Sequence, residues 1–309
     1  MKAVVIGTGM MGPGIAMTLT LGGVEAVILG RTAASAEAGL GAARKQLALL
    51  SAHDLVTAEQ AAFSSAHLRA AAAFETEVAN ADLVIESGPE DLSFKQQLFE
   101  RLDGLTGGIL TSNTSGLSIT AIAERCARPE RVMTTHFWNP PHLMPLVEIV
   151  MGARTSLVLA EQVRDLLTAC GKVPVVVKKD TPGQLGNRMH MALIREAAHI
   201  VSEGIADASE VDLAARMSFG LRLPMYGLLE HMDIVGLDMS MGILEYVASD
   251  LYNGVEAPAR YKELVAGGDL GAKTGRGFYD WSLKSPDEAR ARRDGFVLEM
   301  LKWRRGVRS

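Results

Sequence analysis

Cysteine is scarce in this chain. There are two in 309 residues, Cys126 and Cys170, and their positions offer neither a metal nor a redox spacing. Both are expected as ordinary buried thiols of a reducing compartment, and no metal site is expected. No apolar run is long enough to span a membrane. The strand pattern starts at Lys2, so no leader is expected and the protein is expected in the cytoplasm. Excess positive charge is missing too. The net charge is −5, which gives no reason to expect nucleic acid. Arg290, Arg292, Arg293, Lys302, Arg304, Arg305 and Arg308 do gather near the end, and read as the wet face of a terminal helix. No internal repeat and no low-complexity linker is present.

Apolar strands alternating with helical segments dominate the first part. A strand at Lys2–Ile6 runs into a glycine turn and an apolar helix. Further strands are predicted at residues 24–29, 83–86, 108–111, 131–136, 146–150 and 173–178. Residues 33–64 are alanine-rich and read as a helical hairpin projecting from the sheet. This pattern predicts an α/β Rossmann-type fold with a doubly wound, mostly parallel sheet. After Thr181-Pro182-Gly183 the period becomes helical, with Leu193, Ile194, Ala197, Ala198 and Val201 in step and Gly204 as a stop. The expected domains are residues 1–182, which bind a dinucleotide, and residues 183–309, all helical.

Gly7-Thr8-Gly9-Met10-Met11-Gly12 follows a strand and opens a helix, the context a dinucleotide fingerprint requires. Gly7 permits the turn, Gly9 admits a pyrophosphate and Gly12 lets helix and strand pack closely. The helix start offers N–H groups to phosphate. The second strand ends in Gly30-Arg31-Thr32, with Ser35 nearby, where an NAD site would carry a carboxylate. A guanidinium beside hydroxyls suits a 2′-phosphate. NADP is therefore the expected cofactor and NAD the alternative, the latter leaving Arg31 as a solvated turn residue.

Ligands of open α/β sheets sit beyond the carboxyl ends of the strands. Glu86, the Ser112-Asn113-Thr114-Ser115 loop and His136 all fall at such ends. His136 opens His136-Phe137-Trp138-Asn139-Pro140-Pro141, and Glu148 follows on the next strand. Oxidising an alcohol needs a base for the hydroxyl proton, and histidine suits that near neutral pH. A carboxylate on its far nitrogen would fix the tautomer and stabilise the imidazolium. His142, beyond the two prolines, could touch substrate or be a loop residue without a role. His190 and His199 read as packing or surface residues.

These motifs resemble the short-chain L-3-hydroxyacyl-CoA dehydrogenase family. The similarity runs from the Gly7 fingerprint through Ser112–Ser115, His136–Pro140 and Leu146-Val147-Glu148. It continues in Lys179-Asp180-Thr181-Pro182-Gly183, Asn187-Arg188 and Lys273-Thr274-Gly275-Arg276-Gly277-Phe278-Tyr279. The resemblance implies His136 and Glu148 as a catalytic dyad. Ser115 and Asn187 would contact the substrate oxygen or hold the dyad. Gly7, Gly9, Met10, Met11, Gly12, Arg31, Thr32, Glu86, Glu90 and Asn113 would border the cofactor. Met225, Tyr226, His231 and Met232 fall in the substrate-facing region of the helical domain.

The chain departs from the family pattern at four places. Gly30 replaces the acidic ribose ligand. Residues 47–73, which would meet a CoA tail, contain Arg69, His53 and His67 but no lysine. Pro145 stands where lysine is usual. Pro140-Pro141 and Gly88-Pro89-Glu90 look closer to relatives that oxidise free hydroxy acids: the L-gulonate dehydrogenases, similar to lambda-crystallin, and pyridine-carboxylate or carnitine dehydrogenases. The expectation is a hydride-transferring oxidoreductase for a small 3-hydroxy acid or related secondary alcohol. The alternatives are action on the CoA thioester, or dinucleotide binding without turnover. A homodimer through the helical domain is expected, from its apolar content and by resemblance. Arg188 could receive a substrate's negative group or merely pin the domains.

Overall fold

The structure is a computed structural model that describes residues 1–308; among these, the side chains of Arg305, Val307 and Arg308 lie outside the description, and so do those two members of the basic cluster. Among the described residues, eight strands form one sheet in the order β3-β2-β1-β4-β5-β6-β7-β8. The strands are β1 (Lys2–Ile6), β2 (Glu25–Leu29), β3 (Leu68–Ala71), β4 (Leu83–Glu86), β5 (Ile109–Ser112), β6 (Val132–Phe137), β7 (Leu146–Met151) and β8 (Val173–Val177). Pairing is parallel except between β6 and β7. The order reverses at β1, so β1 and β4 flank the switch point at which such sheets take their ligands.

The helices between the strands are α1 (Gly12–Leu21), α2 (Ala33–Ala52), α3 (Ala58–His67), α4 (Phe74–Ala79), α5 (Leu92–Leu105), α6 (Ile119–Ile122) and α7 (Leu157–Ala169). Gly12 to Thr20 of α1 are all buried, as expected of a helix apolar on every side. Ile15 and Leu19 join Leu83, Ile85, Phe137 and Val147 in one core layer. Phe99 and Leu102 of α5 join Val4, Val84 and Leu110 in a second. The sheet is therefore covered on both faces, which is why its strands read as continuous apolar runs.

Two expectations are corrected here. Residues 33–64 do not project. Leu40, Ala43, Leu47 and Leu50 form a stripe along α2 that enters the same core as α1, joined by Leu55 before α3. The stretch after α3 leaves the hairpin altogether and becomes β3, an edge strand on β2. Its Arg69 is spoken for, since both terminal nitrogens bond the carboxylate of Glu77, at 2.7 and 2.5 Å.

The chain forms two compact units, Met1–Asn187 with Arg293–Ser309, and Arg188–Arg292. The closing residues thus group with the sheet unit instead of staying with the helices, because Leu298, flanked by Val297 and Leu301, is buried in the sheet core. The helices here are α8 (Gly186–Ser202), α9 (Ala208–Met217), α10 (Phe219–Arg222), α11 (Leu228–Val235), α12 (Leu237–Ala248), α13 (Ala259–Ala266) and α14 (Pro286–Arg308). No described helix is long and apolar enough to cross a membrane. Cys126 and Cys170 are free and buried, and burial pushes their thiols up to about 11 and about 12.

Candidate active site

The C-terminal ends of β1, β4, β5 and β6 lie side by side in the sheet and deliver Gly7, Glu86, Ser112 and His136 to one edge. The glycine turn fits a dinucleotide. Gly7 has φ +126°, and a Cβ there would lie 2.4 Å from the Ser87 carbonyl oxygen. A Cβ on Gly12 would lie 1.9 Å from the Gly7 carbonyl, so strand and helix approach too closely for any side chain. A Cβ on Gly9 would meet nothing within 4 Å, which leaves room for a phosphate. No side chain caps the start of α1, so its N–H groups remain for an anion. Met10 beside it is well exposed, while Met11 is half-buried as the N-cap residue.

At the end of β2, Thr32 and Ser35 form the capping box of α2, each side chain bonding the other's backbone N–H. Gly30 is enclosed by that first turn. A Cβ there would lie 2.7 Å from both the Ala36 nitrogen and the Ser35 hydroxyl. A carboxylate has no room at this position, and Arg31, exposed, is the next side chain available.

Glu86 and Glu90 divide their work. Glu86, at the carboxyl end of β4, is fully buried. Lys95 Nζ lies 2.7 Å from each of its oxygens, the Ser112 hydroxyl donates at 2.6 Å and the Gly88 N–H at 2.6 Å. It supports the loop from beneath. Lys95 is a component that sequence reasoning missed. Its signal was a lysine on the apolar stripe of α5, in step with Phe99 and Leu102. Glu90 is half-exposed and gathers the Thr114 hydroxyl at 2.5 Å, the Ser115 N–H at 3.0 Å and the Gly116 N–H at 3.3 Å. Burial would raise its pKa, but the Thr114 hydroxyl, Lys95 and those amides together hold it below the usual range. Asn113 accepts from the Phe137 N–H at 2.8 Å, tying the β5 loop to β6. Ser115 is exposed, and Asn187 reaches its carbonyl at 3.4 Å. Buried Gln184, also missed, donates to the Thr114 carbonyl at 3.0 Å.

His136 and Glu148 stand directly opposite each other on the antiparallel pair β6–β7. Opposed residues of such a pair share one face, so register alone brings them together. His136 Nδ1 lies 2.9 Å from Glu148 Oε2. The same oxygen accepts from Trp138 Nε1 at 3.0 Å, and Oε1 accepts from the Leu185 and Gly186 N–H groups at 2.9 and 2.8 Å. Burial by itself would push Glu148 up. The bonds from His136, Gly186, Trp138 and Leu185 outweigh it and hold the carboxyl at about 2. A carboxylate so fixed can orient an imidazole and stabilise its charged form, which suits proton exchange with an alcohol or carbonyl oxygen.

Residues 2–181 match the family described as 3-hydroxyacyl-CoA dehydrogenase, NAD binding domain, and residues 183–281 match its C-terminal domain. The chain belongs to the 3-hydroxyacyl-CoA dehydrogenase family. It is a dehydrogenase that uses a nicotinamide dinucleotide and acts on CH–OH groups. Among relatives, it is 33% identical to the 5-formyl-3-hydroxy-2-methylpyridine 4-carboxylate 5-dehydrogenase of Mesorhizobium japonicum, over 97% of this chain and 98% of that one. It is 37% identical to a probable 3-hydroxybutyryl-CoA dehydrogenase of Bacillus subtilis, over 92% of this chain and 98% of that one. A crystal structure of the pyridine-carboxylate enzyme, described as an NAD+-dependent dismutase, superposes with a TM-score of 0.88 at 30% identity, covering 100% of this chain and 98% of the other.

Proposed function

We propose that this family member interconverts a compact, carboxylate-bearing hydroxy compound and its carbonyl counterpart, with His136 and Glu148 as the acid–base pair. The observation that carries the reading is the His136–Glu148 bond, backed by three further donors on the carboxylate. With Nδ1 turned to Glu148, Nε2 is the nitrogen left to exchange a proton with the substrate oxygen. Glu148 keeps the ring in one tautomer and balances its positive charge once the proton arrives. Ser115 and Asn187 position that oxygen. When bound, the dinucleotide would supply the hydride acceptor or donor; the Gly7–Gly12 turn would hold its pyrophosphate, and Met10, Glu90 and the Asn113 loop would border it.

The substrate class follows from where cations are missing. From residue 47 to 73 the one arginine is already neutralised by Glu77, so a CoA tail's phosphates would find little to bind there. The pyridine-carboxylate relative supports the same choice, since its name specifies a small ring bearing a carboxylate and a carbonyl. For the cofactor, closed Gly30 followed by exposed Arg31 favours a 2′-phosphate, hence NADP over NAD. A cytoplasmic homodimer completes the reading. Leu229, Ile234, Leu237, Leu244 and Tyr246 of α11 and α12 are all exposed, apolar surface that a second copy would cover. Light scattering at micromolar concentration should give twice the chain mass.

The decisive experiment sets NADPH and NADH against acetoacetyl-CoA, a free short β-keto acid and a pyridine carbaldehyde carboxylate. A higher kcat/KM for a free acid than for the thioester is expected. A clear advantage for acetoacetyl-CoA would return the chain to acyl-CoA chemistry. His136→Gln should cut turnover by roughly two to four orders of magnitude with cofactor affinity unchanged. Near-normal turnover would refute the dyad.

A further inference from the structure

The sheet unit contains a cavity of about 230 Å³ whose walls include neither the glycine turn nor the dyad. It is bordered by the end of α1, the α2–α3 hairpin, the loop between β6 and β7, the turn before β8, and α14. Its apolar lining residues include Leu21, Leu55, Val56 and Leu301. The lining also includes Lys172, His142 and Arg304, of which Lys172 acts electrostatically on His142. An apolar lining with a few convergent polar groups is the usual composition of a small-molecule site.

Lys172 is 7% exposed. Its ammonium donates to the Pro141 carbonyl at 2.5 Å and the Met144 carbonyl at 3.0 Å. An ammonium has three donors, so one is left. Burial pushes Lys172 down to about 8, which leaves it cationic at neutral pH. The titratable group acting on it is the Cys170 thiol, itself pushed up to about 12 and therefore neutral. A buried cation without a counter-charge is costly, and such groups are ordinarily paired. His142 adds a second unmet need, because its Nδ1 is buried with no partner. Burial, then Lys172, lowers His142 to about 4, so the ring is neutral and can offer one N–H. Asp294 acts on His142 in the opposite sense, but is engaged by Arg293 at 2.7 Å.

We propose that this cavity binds a small amphiphilic anion, with a carboxylate head on Lys172 and His142 and a short apolar tail along Leu21, Leu55 and Val56. The head would fill the third donor position of Lys172, satisfy His142 Nδ1 and supply the missing charge. Arg304, which also lines the cavity, adds attraction. The cavity's walls contain neither the glycine turn nor the dyad.

Hexanoate is the probe, with hexanol and inorganic phosphate as controls, measured by calorimetry and by thermal shift on the full chain. Hexanoate should bind this site at least roughly tenfold more tightly than hexanol, since only the acid supplies the charge. Val56→Trp fills the tail space and leaves Lys172 and His142 untouched, so it should abolish that binding. Lys172→Met should do the same, and Val56→Trp decides the question if the lysine variant fails to fold. His136→Gln should bind hexanoate normally. The proposal is overturned by no hexanoate binding at about 10 mM, by equal affinity for hexanol or phosphate, or by binding that survives Val56→Trp. That last outcome would place the acid in the catalytic site and leave Lys172 as a tie between Pro141 and Met144 alone.

Discussion

Trp138 and His136 donate to the same oxygen of Glu148, Oε2, at 3.0 and 2.9 Å. The indole therefore competes with the imidazole for one acceptor and fixes where that acceptor sits. Trp138→Phe keeps the ring and removes the donor. A bond to a charged acceptor contributes about 1.5–3 kcal/mol, so kcat should fall about tenfold or somewhat more. KM for the cofactor should stay put. Gly186→Ala should do more harm, because its Cβ would lie 2.6 Å from the indole ring. Steady-state kinetics on both variants give the comparison, and equal, undiminished kcat values would show that the indole bond is idle.

The Gly30-Arg31 pair makes two separable predictions. Arg31→Ala should weaken NADPH much more than NADH, about tenfold for each 1.4 kcal/mol of binding free energy removed. Gly30→Asp should fail to create a good NADH site, because the added Cβ meets Ala36 and Ser35. It should instead destabilise the fold by about 1–3 kcal/mol, the usual cost of overpacking. Cofactor titrations beside urea melts test both. An equal weakening of the two cofactors in Arg31→Ala would show that no 2′-phosphate is held there.

Lys95 and Glu86 form a pair with side chains 1% and 0% exposed. Removing one member strands a buried charge, so Lys95→Met should cost about 3–5 kcal/mol. Adding Glu86→Gln should recover a good part of that loss. Urea unfolding of the single and double variants measures the coupling. Simple additivity would mean the two groups do not depend on each other.

Acid should unfold the protein in two stages. His142 falls from 6.5 to about 4 in the native state, so between those values the unfolded chain binds more protons and stability drops as pH falls. Glu148 and Glu77 fall from 4.5 to about 2, so their contribution is complete above 4.5 and is lost on the way to 2. His142→Leu should flatten the upper stage and leave the lower one. Urea midpoints collected from pH 7 to 3 would expose an error if the variant and the parent run parallel throughout.

Much of the sheet unit was legible because its signals are local. β1, the glycine turn and α1 follow one another within a few residues, and buried parallel strands leave unbroken apolar runs such as Ala3-Val4-Val5-Ile6. The opposition of His136 and Glu148 was legible because two adjacent strands and a short loop hold both. β3 was not. Leu68–Ala71 is short, carries Arg69 and two alanines, and becomes a strand only because β2 offers it an edge. The α5 stripe marks Lys95 as buried, but its partner Glu86 lies on β4, and only the tertiary fold pairs the two. Gln184 and Gly186 escaped for the same reason, since what they touch is set by the tertiary fold.

The two backbone N–H groups on Glu148 Oε1, from Leu185 and Gly186, stand at the threshold of α8. The carboxylate that bonds the imidazole is thereby also the anchor of a helix start, where negative charge is favoured. Chemistry and architecture here draw on a single side chain. A substitution that deletes this group also unmoors the helix. Of the two partners, the histidine alone can be exchanged without disturbing that anchorage.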